Sequence, residues 1–222
     1  MNITRWLAAS AALATLAAPP VLAQSDADLK ADAATPGNVL TYGMGYNNQR
    51  YSALKQINTK NAGKLQPAWS YSLNNPQGQE SQPIVHDGVM YVTTFNSTVA
   101  LDPITGKQLW KQEIELPQDV FKYACCGILN RGAAIYDGKL FRVTLDAQVM
   151  AMDAKTGKQL WKSKAANYQD GHAMTSAPLI ANGVVITGIA GGEYGTRGFI
   201  DGWDPATGKH LCAEETGLFV DR

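Results

Sequence analysis

Two cysteines stand side by side at Cys125 and Cys126, five residues before Arg131 in the run Ala124-Cys125-Cys126-Gly127-Ile128-Leu129-Asn130-Arg131-Gly132. Neighbouring cysteines can close a disulfide only by distorting the peptide between them, because bridged residues normally need Cα atoms farther apart than chain neighbours allow. Such a ring closes almost no loop and hardly restricts the unfolded chain, so stabilisation is a poor reason for it. The pair points to a site. A second candidate is Glu193 in Gly191-Gly192-Glu193-Tyr194-Gly195, since a carboxylate on a glycine-rich turn can present both oxygens to a hard cation. Taken alone, a glutamate of this kind is more often a solvated surface charge. The histidines offer less: His86 precedes an Asp-Gly turn and is expected to be exposed, His172 sits near Thr175 and is a candidate for lining a pocket, and His210 occupies a variable repeat position. No two of them have metal-ligand spacing and there is no Cys-x-x-Cys, which argues against a zinc site or a c-type haem.

The elements that must position these residues announce themselves by repetition. Leu101-Asp102-Pro103-Ile104-Thr105-Gly106-Lys107-Gln108-Leu109-Trp110 recurs as Met152-Asp153-Ala154-Lys155-Thr156-Gly157-Lys158-Gln159-Leu160-Trp161 and again from Trp203-Asp204 to Leu211-Cys212, with a period of 51 residues both times. Asp-x-x-Thr-Gly-Lys between short apolar runs is hairpin-turn chemistry, with glycine supplying positive φ and Asp and Thr bonding nearby backbone. Each repeat carries a second hairpin signal, Asp87-Gly88, Asp137-Gly138 or Asn182-Gly183, between strand-like residues. Two hairpins per repeat make a four-stranded antiparallel unit, which predicts an all-β fold built from β-propeller blades. Trp110 and Trp161 then read as packing between blades. An eight-bladed ring needs roughly 400 residues, so a chain with three repeats and a partial copy at Asn61–Trp69 is expected to be an incomplete arc of about three to four blades.

The ends set the compartment. Arg5 before the apolar run Trp6–Ala18, and Val21-Leu22-Ala23 before Gln24, read as a secretory signal over residues 1–23, although an uncleaved anchor is the alternative. Export to an oxidising space would permit a Cys125–Cys126 disulfide. Residues 24–38 are small and polar and read as an extended or poorly ordered leader. The 19 basic and 19 acidic side chains balance, which gives no sign of a nucleic-acid surface, and no stretch after the signal is long and apolar enough to be a transmembrane segment. Cys212 falls where Trp110 and Trp161 predict tryptophan, and residues 212–222 depart from the repeat; the expectation is a divergent tail and a chain truncated near residue 211.

Together the Asp-x-x-Thr-Gly-Lys-x-Leu-Trp repeats, the cysteine pair followed by Asn130-Arg131-Gly132, the segment Gly191-Gly192-Glu193-Tyr194-Gly195-Thr196-Arg197-Gly198 and the opening Tyr46-Asn47-Asn48-Gln49-Arg50-Tyr51 resemble the pyrroloquinoline-quinone (PQQ)-dependent alcohol dehydrogenases of the methanol and ethanol type. The resemblance covers residues 39–211 and implies an eight-bladed quinoprotein propeller with tryptophan-docking repeats. It further implies that Cys125 and Cys126 form a disulfide packed on the quinone. Glu80 and Arg131 would flank its anionic oxygens, and Thr175 would hydrogen-bond it. The backbone at Ala190, Gly191 and Gly192 would lie against it, and Glu193 would bind Ca²⁺ or a lanthanide. Relatives that offer a serine hydroxyl at Ala190 make a bond this chain does not. The implied reaction is oxidation of a small primary alcohol to the aldehyde in the periplasm by hydride transfer to the quinone, with an electron acceptor such as a cytochrome c. The family's general base, an asparagine metal ligand and a tryptophan facing the cofactor are expected beyond Arg222, so this chain is expected to be inactive alone. The alternatives are a non-enzymatic periplasmic propeller scaffold, which has no reason to hold the cysteine pair, and a non-functional remnant of a disrupted gene.

Overall fold

A computed structural model describes residues 24–124 and 127–215 of the 222-residue chain. Cys125 and Cys126, the expected disulfide, and the expected signal over residues 1–23 lie outside the described residues. Twelve strands form three four-stranded antiparallel sheets, each a simple meander. The first blade holds β1 (Ile84–His86), β2 (Val89–Thr93), β3 (Ser97–Leu101) and β4 (Gln108–Glu113). The second holds β5 (Ala134–Tyr136), β6 (Lys139–Val143), β7 (Gln148–Asp153) and β8 (Gln159–Lys164). The third holds β9 (Leu179–Ala181), β10 (Val184–Gly188), β11 (Phe199–Trp203) and β12 (His210–Glu215). Among the described residues the four-stranded blades number three, within the expected arc of three to four. The partial copy at Asn61–Trp69 contributes a docking tryptophan and no strand.

Turn chemistry explains the meander. In each blade the first hairpin closes on two residues with positive φ, Asp87-Gly88, Asp137-Gly138 and Asn182-Gly183, which is the twist-matched two-residue connection. The Asp of each Asp-x-x-Thr-Gly-Lys turn accepts backbone N–H bonds at 2.7–3.1 Å from the residues two and three positions on, Ile104 and Thr105, Lys155 and Thr156, Ala206 and Thr207. The third to fourth strand register slips at one place in every blade, at Ala100/Leu101, Ala151/Met152 and Gly202/Trp203.

Blades join through the repeat's tryptophan. Trp69, Trp110 and Trp161 each donate Nε1–H at 3.1 Å to a carbonyl in the next Asp-x-x-Thr-Gly-Lys turn, those of Pro103, Ala154 and Pro205. The rings lie against Gly106, Gly157 and Gly208, where a Cβ would come within 2.5 Å of the indole. Glycine is required twice over at these positions, by positive φ and by the ring. Cys212 pairs with Gly202 as Trp110 pairs with Ala100 and Trp161 with Ala151, so it stands in the docking register without an indole to dock. The middle blade is the driest: Leu140, Phe141, Val149, Met150, Ala151 and Met152 are all buried between its neighbours.

The leader differs from expectation. Ser25 caps a short helix α1 (Asp26–Lys30), accepting from the Asp28 N–H while the Asp28 carboxylate accepts from the Ser25 N–H. This Ser-x-x-Asp box supplies a local hydrogen-bonding solution that composition alone did not reveal. The leader then runs over all three blades. The Gln24 amide bonds the His86 ring and accepts from the Gly138 N–H, Asp26 accepts from the Gly183 N–H, and Tyr46 donates to the Ile180 carbonyl at 2.6 Å. His86, expected to be exposed, is consequently largely covered, its side chain 13% accessible.

Candidate functional site

The site is assembled by the segments that enter the first strand of each blade. Gln82 N–H bonds the Arg131 carbonyl at 3.2 Å, and Arg131 N–H bonds the Thr175 carbonyl at 2.8 Å, so three successive entry segments lie side by side. Their side chains converge. The Arg131 guanidinium meets Glu80 through Nε at 3.1 Å and donates from Nη1 to the Thr175 hydroxyl at 2.6 Å. Arg131 and Glu80 are 40% and 48% accessible, and a pair so wet is worth about 0–1 kcal/mol in stability, so its consequence is orientation of the guanidinium. A hydroxyl that accepts from a guanidinium keeps its own hydrogen to donate.

A cavity of about 210 Å³ opens beside this cluster, lined by Arg131, Thr175 and Glu193 together with Gly127, Gly171 and Ala190 among others. Its floor is built from small residues because two backbones meet there. Ala173 and Ala190 exchange N–H···O bonds at 3.1 and 2.8 Å, and a Cβ on Gly191 would lie 2.3 Å from the Gly171 carbonyl oxygen. Glu193 sits in a 3₁₀ turn, Gly192–Tyr194, between β10 and β11, and is exposed. Tyr194, its neighbour, packs on Gly171, where a Cβ would meet it at 2.7 Å.

Of the residues expected from the sequence, the structure brings Glu80, Arg131 and Thr175 into contact and places Ala190, Gly191 and Glu193 on the same cavity. Gly192, beside them in the 3₁₀ turn, is not among the cavity-lining residues. Cys125 and Cys126 fall outside the described residues, though Gly127 immediately after them lines the cavity. His172 does not line it. Its ring lies 6.0 Å from that of Phe199, and its Nδ1 is buried without a hydrogen-bond partner. Among the described residues no three His, Cys, Asp or Glu side chains group to hold a metal, so Glu193 is one donor toward a shell that needs six to eight oxygens. Sequence reasoning missed Thr93 and gave Asn130 no role beyond its place in the Asn130-Arg131-Gly132 motif; both are buried and link the entry segments through a 2.6 Å hydrogen bond. A usable signal existed for part of the cluster: Glu80 lies four residues before β1 and Arg131 three before β5, so both belong to the segments that enter successive blades.

Small residues lining a cavity together with a guanidinium, a hydroxyl and a carboxylate suit an anionic ligand with a hard cation beside it. The fold is that of a partial β-propeller. Residues 40–213 match the PQQ family model, glucose/ethanol/alcohol dehydrogenase, beta-propeller domain, and the chain belongs to that family. Among individual proteins, it is 47% identical over 193 residues to the quinoprotein ethanol dehydrogenase of Pseudomonas aeruginosa, covering 83% of this chain and 31% of that protein. It is 42% identical over 217 residues to the dehydrogenase subunit of the alcohol dehydrogenase (quinone) of Gluconobacter oxydans, covering 92% of this chain and 29% of the relative. The solved structure of a europium-containing methanol dehydrogenase superposes with a TM-score of 0.82 at 38% identity, covering 85% of this chain and 34% of that one. The chain thus spans about a third of the length of these relatives.

Proposed function

We propose that this chain carries one wall of the cofactor cradle of a PQQ-dependent alcohol dehydrogenase that oxidises primary alcohols to aldehydes in the periplasm. The convergence of Glu80, Arg131 and Thr175 from three blades onto the cavity that holds Glu193 is the observation that supports this reading. When bound, PQQ would supply the two-electron acceptor for hydride and a Ca²⁺ or lanthanide ion would supply Lewis acidity. Arg131 would hold the cofactor's carboxylate or quinone oxygens in a planar fork, and Glu80 would keep that fork from rotating. Thr175 would donate its hydroxyl hydrogen to the same edge. Glu193 would give one ligand to the metal, and Ala190 and Gly191 would let the ring lie against backbone. By the family resemblance, a Cys125–Cys126 disulfide would pack on one face of the quinone ring.

Among the described lining residues only Arg131 and Glu193 are ionisable, and both are engaged by cofactor or metal in this reading. A positioned proton acceptor for the alcohol is therefore not among them, and the chain is inferred to bind quinone without turning over. Export is inferred from the apolar, alanine-rich start and Val21-Leu22-Ala23, and a periplasmic electron acceptor such as a cytochrome c follows from the class of reaction.

The experiment is titration of the full chain with PQQ in the presence and absence of Ca²⁺, followed by tryptophan fluorescence and calorimetry, with a dye-linked alcohol oxidation assay beside it. Metal-dependent binding that is markedly weakened in Arg131→Ala, with no turnover, is expected. Equal binding by the parent and Arg131→Ala, or none by the parent, would refute the proposal.

A further inference from the structure

Glu80 and Arg131 each follow a residue that is tied to one buried threonine. Thr93, at the end of β2 and 1% exposed, accepts from the Gln79 side-chain amide on its carbonyl at 2.8 Å and donates its hydroxyl to Asn130 Oδ1 at 2.6 Å. Asn130 is 3% exposed and bonded through both side-chain atoms: Oδ1 also accepts from the Gly132 N–H at 3.0 Å, and Nδ2 donates to the Val143 carbonyl at the end of β6 at 3.1 Å. Gly132, at a φ of +140°, turns the chain into β5 directly after Arg131. The residue before Arg131 and the residue after it are thus both fixed by Asn130, while Glu80 is fixed from its own side by Gln79.

We propose that the Thr93–Asn130 pair is the positioning device of the cofactor cradle, setting the separation of Glu80 and Arg131 and hence the direction in which the guanidinium points. The proposal rests on the cradle reading above for its purpose, but its geometry does not. Burial decides what sets that geometry: an accessible Arg–Glu contact is too weak to fix the orientation unaided, whereas the buried Thr93–Asn130 hydrogen bonds hold the backbone from which Arg131 projects. Thr93 joins the first blade to the second at the level of the site, bonded to the residue before each partner of the ion pair.

Thr93→Val removes the hydroxyl and keeps the shape and the carbonyl. The first readout needs no quinone: the ¹H–¹⁵N signal of Arg131 Nε–H and its exchange with water, with the backbone amides of Leu140 and Val149 as monitors of the core. Faster exchange and disorder at Arg131 with unchanged core amides is expected, and Thr93→Ser should restore the parent behaviour. The second readout is PQQ affinity with Ca²⁺, expected to fall about tenfold in Thr93→Val and not to fall further when that change is added to Arg131→Ala. An unchanged Arg131 Nε–H signal, or an additive loss in the Arg131→Ala background, would overturn the inference. If Thr93→Val does not fold, Gln79→Ala at the exposed end of the network decides: it too must loosen Arg131 Nε–H through Glu80. A parent chain that binds no quinone refutes the cradle reading, and the Arg131 signal still decides this one.

Discussion

Gly157→Ala tests the joint between the first and second blades. Gly157 has a φ of +71°, and placing an alanine in that left-handed conformation costs about 1–2 kcal/mol by itself. The new Cβ would stand 2.5 Å from Cε3 of Trp110, so the indole must leave its seat. Its Nε1–H bond to the Ala154 carbonyl, 3.1 Å long, would be stretched or lost, at about 0.5–1.5 kcal/mol, with some of the indole's packing against Tyr91 and the turn lost besides. The sum is about 2–4 kcal/mol. Gly138→Ala is the matched control. It has a φ of +69° with nothing within 4 Å of the added Cβ, so it carries only the backbone cost of about 1–2 kcal/mol. Urea unfolding followed by circular dichroism, compared at equal m-values, gives both numbers. Equal losses in the two variants would refute the docking account, because the only difference between the sites is the tryptophan.

Other outcomes follow from the same geometry. Arg131→Lys is expected to keep the fold and weaken PQQ binding nearly as much as Arg131→Ala, because a lysine cannot reach Glu80, Thr175 and an anionic ligand at once; calorimetry with Ca²⁺ checks it. Gly191→Ala, at a φ of +136° with its Cβ 2.3 Å from the Gly171 carbonyl oxygen, should break the Ala173–Ala190 pairing, lower thermal stability by about 2–3 kcal/mol and abolish quinone binding. Arg142→Leu should cost about 3–5 kcal/mol in urea unfolding, since the buried guanidinium donates to the carbonyls of Thr94, Phe95 and Ser97 and leucine can donate to none of them. The Asp102 carboxyl is held below the usual 3.8 chiefly by the Thr105 N–H, and Asp153 and Asp204 chiefly by the hydroxyls of Thr156 and Thr207. A lowered carboxyl contributes stability above its unfolded value that is lost as pH falls through the folded one, so replacing all three by Asn should flatten the loss of stability as pH falls below the usual carboxylate value of 3.8, read as the urea midpoint against pH.

Much of the blade was legible because turns act locally. Asp-Gly, Asn-Gly and Asp-x-x-Thr-Gly-Lys encode their own dihedrals and hydrogen bonds, so strand pairing and its recurrent register slip follow from a few residues at fixed spacing. Glu80, Arg131, Thr175 and Glu193 were legible through a family resemblance and not through local pattern, as their meeting depends on how three blades lie beside one another. Thr93, and the part Asn130 plays beyond its motif, escaped notice for a physical reason: a threonine ending a strand and an asparagine before an arginine look ordinary until burial makes their hydrogen bonds obligatory. His86 and the leader were misread together. Small polar composition suggested an extended segment, but the Ser25–Asp28 box forms a helical turn, and the Gln24 amide then covers the histidine.

That leader has a consequence for the order of folding. Its bond from Asp26 to the Gly183 N–H spans 157 residues, and that of Tyr46 to the Ile180 carbonyl spans 134. Hairpins within each blade close over a few residues and can form as the chain emerges, but contacts this remote must wait for the third blade to exist. Residues 24–46 are therefore synthesised before the blades they clasp and come to rest after them, so the closing event of the folding reaction is written at the beginning of the described chain.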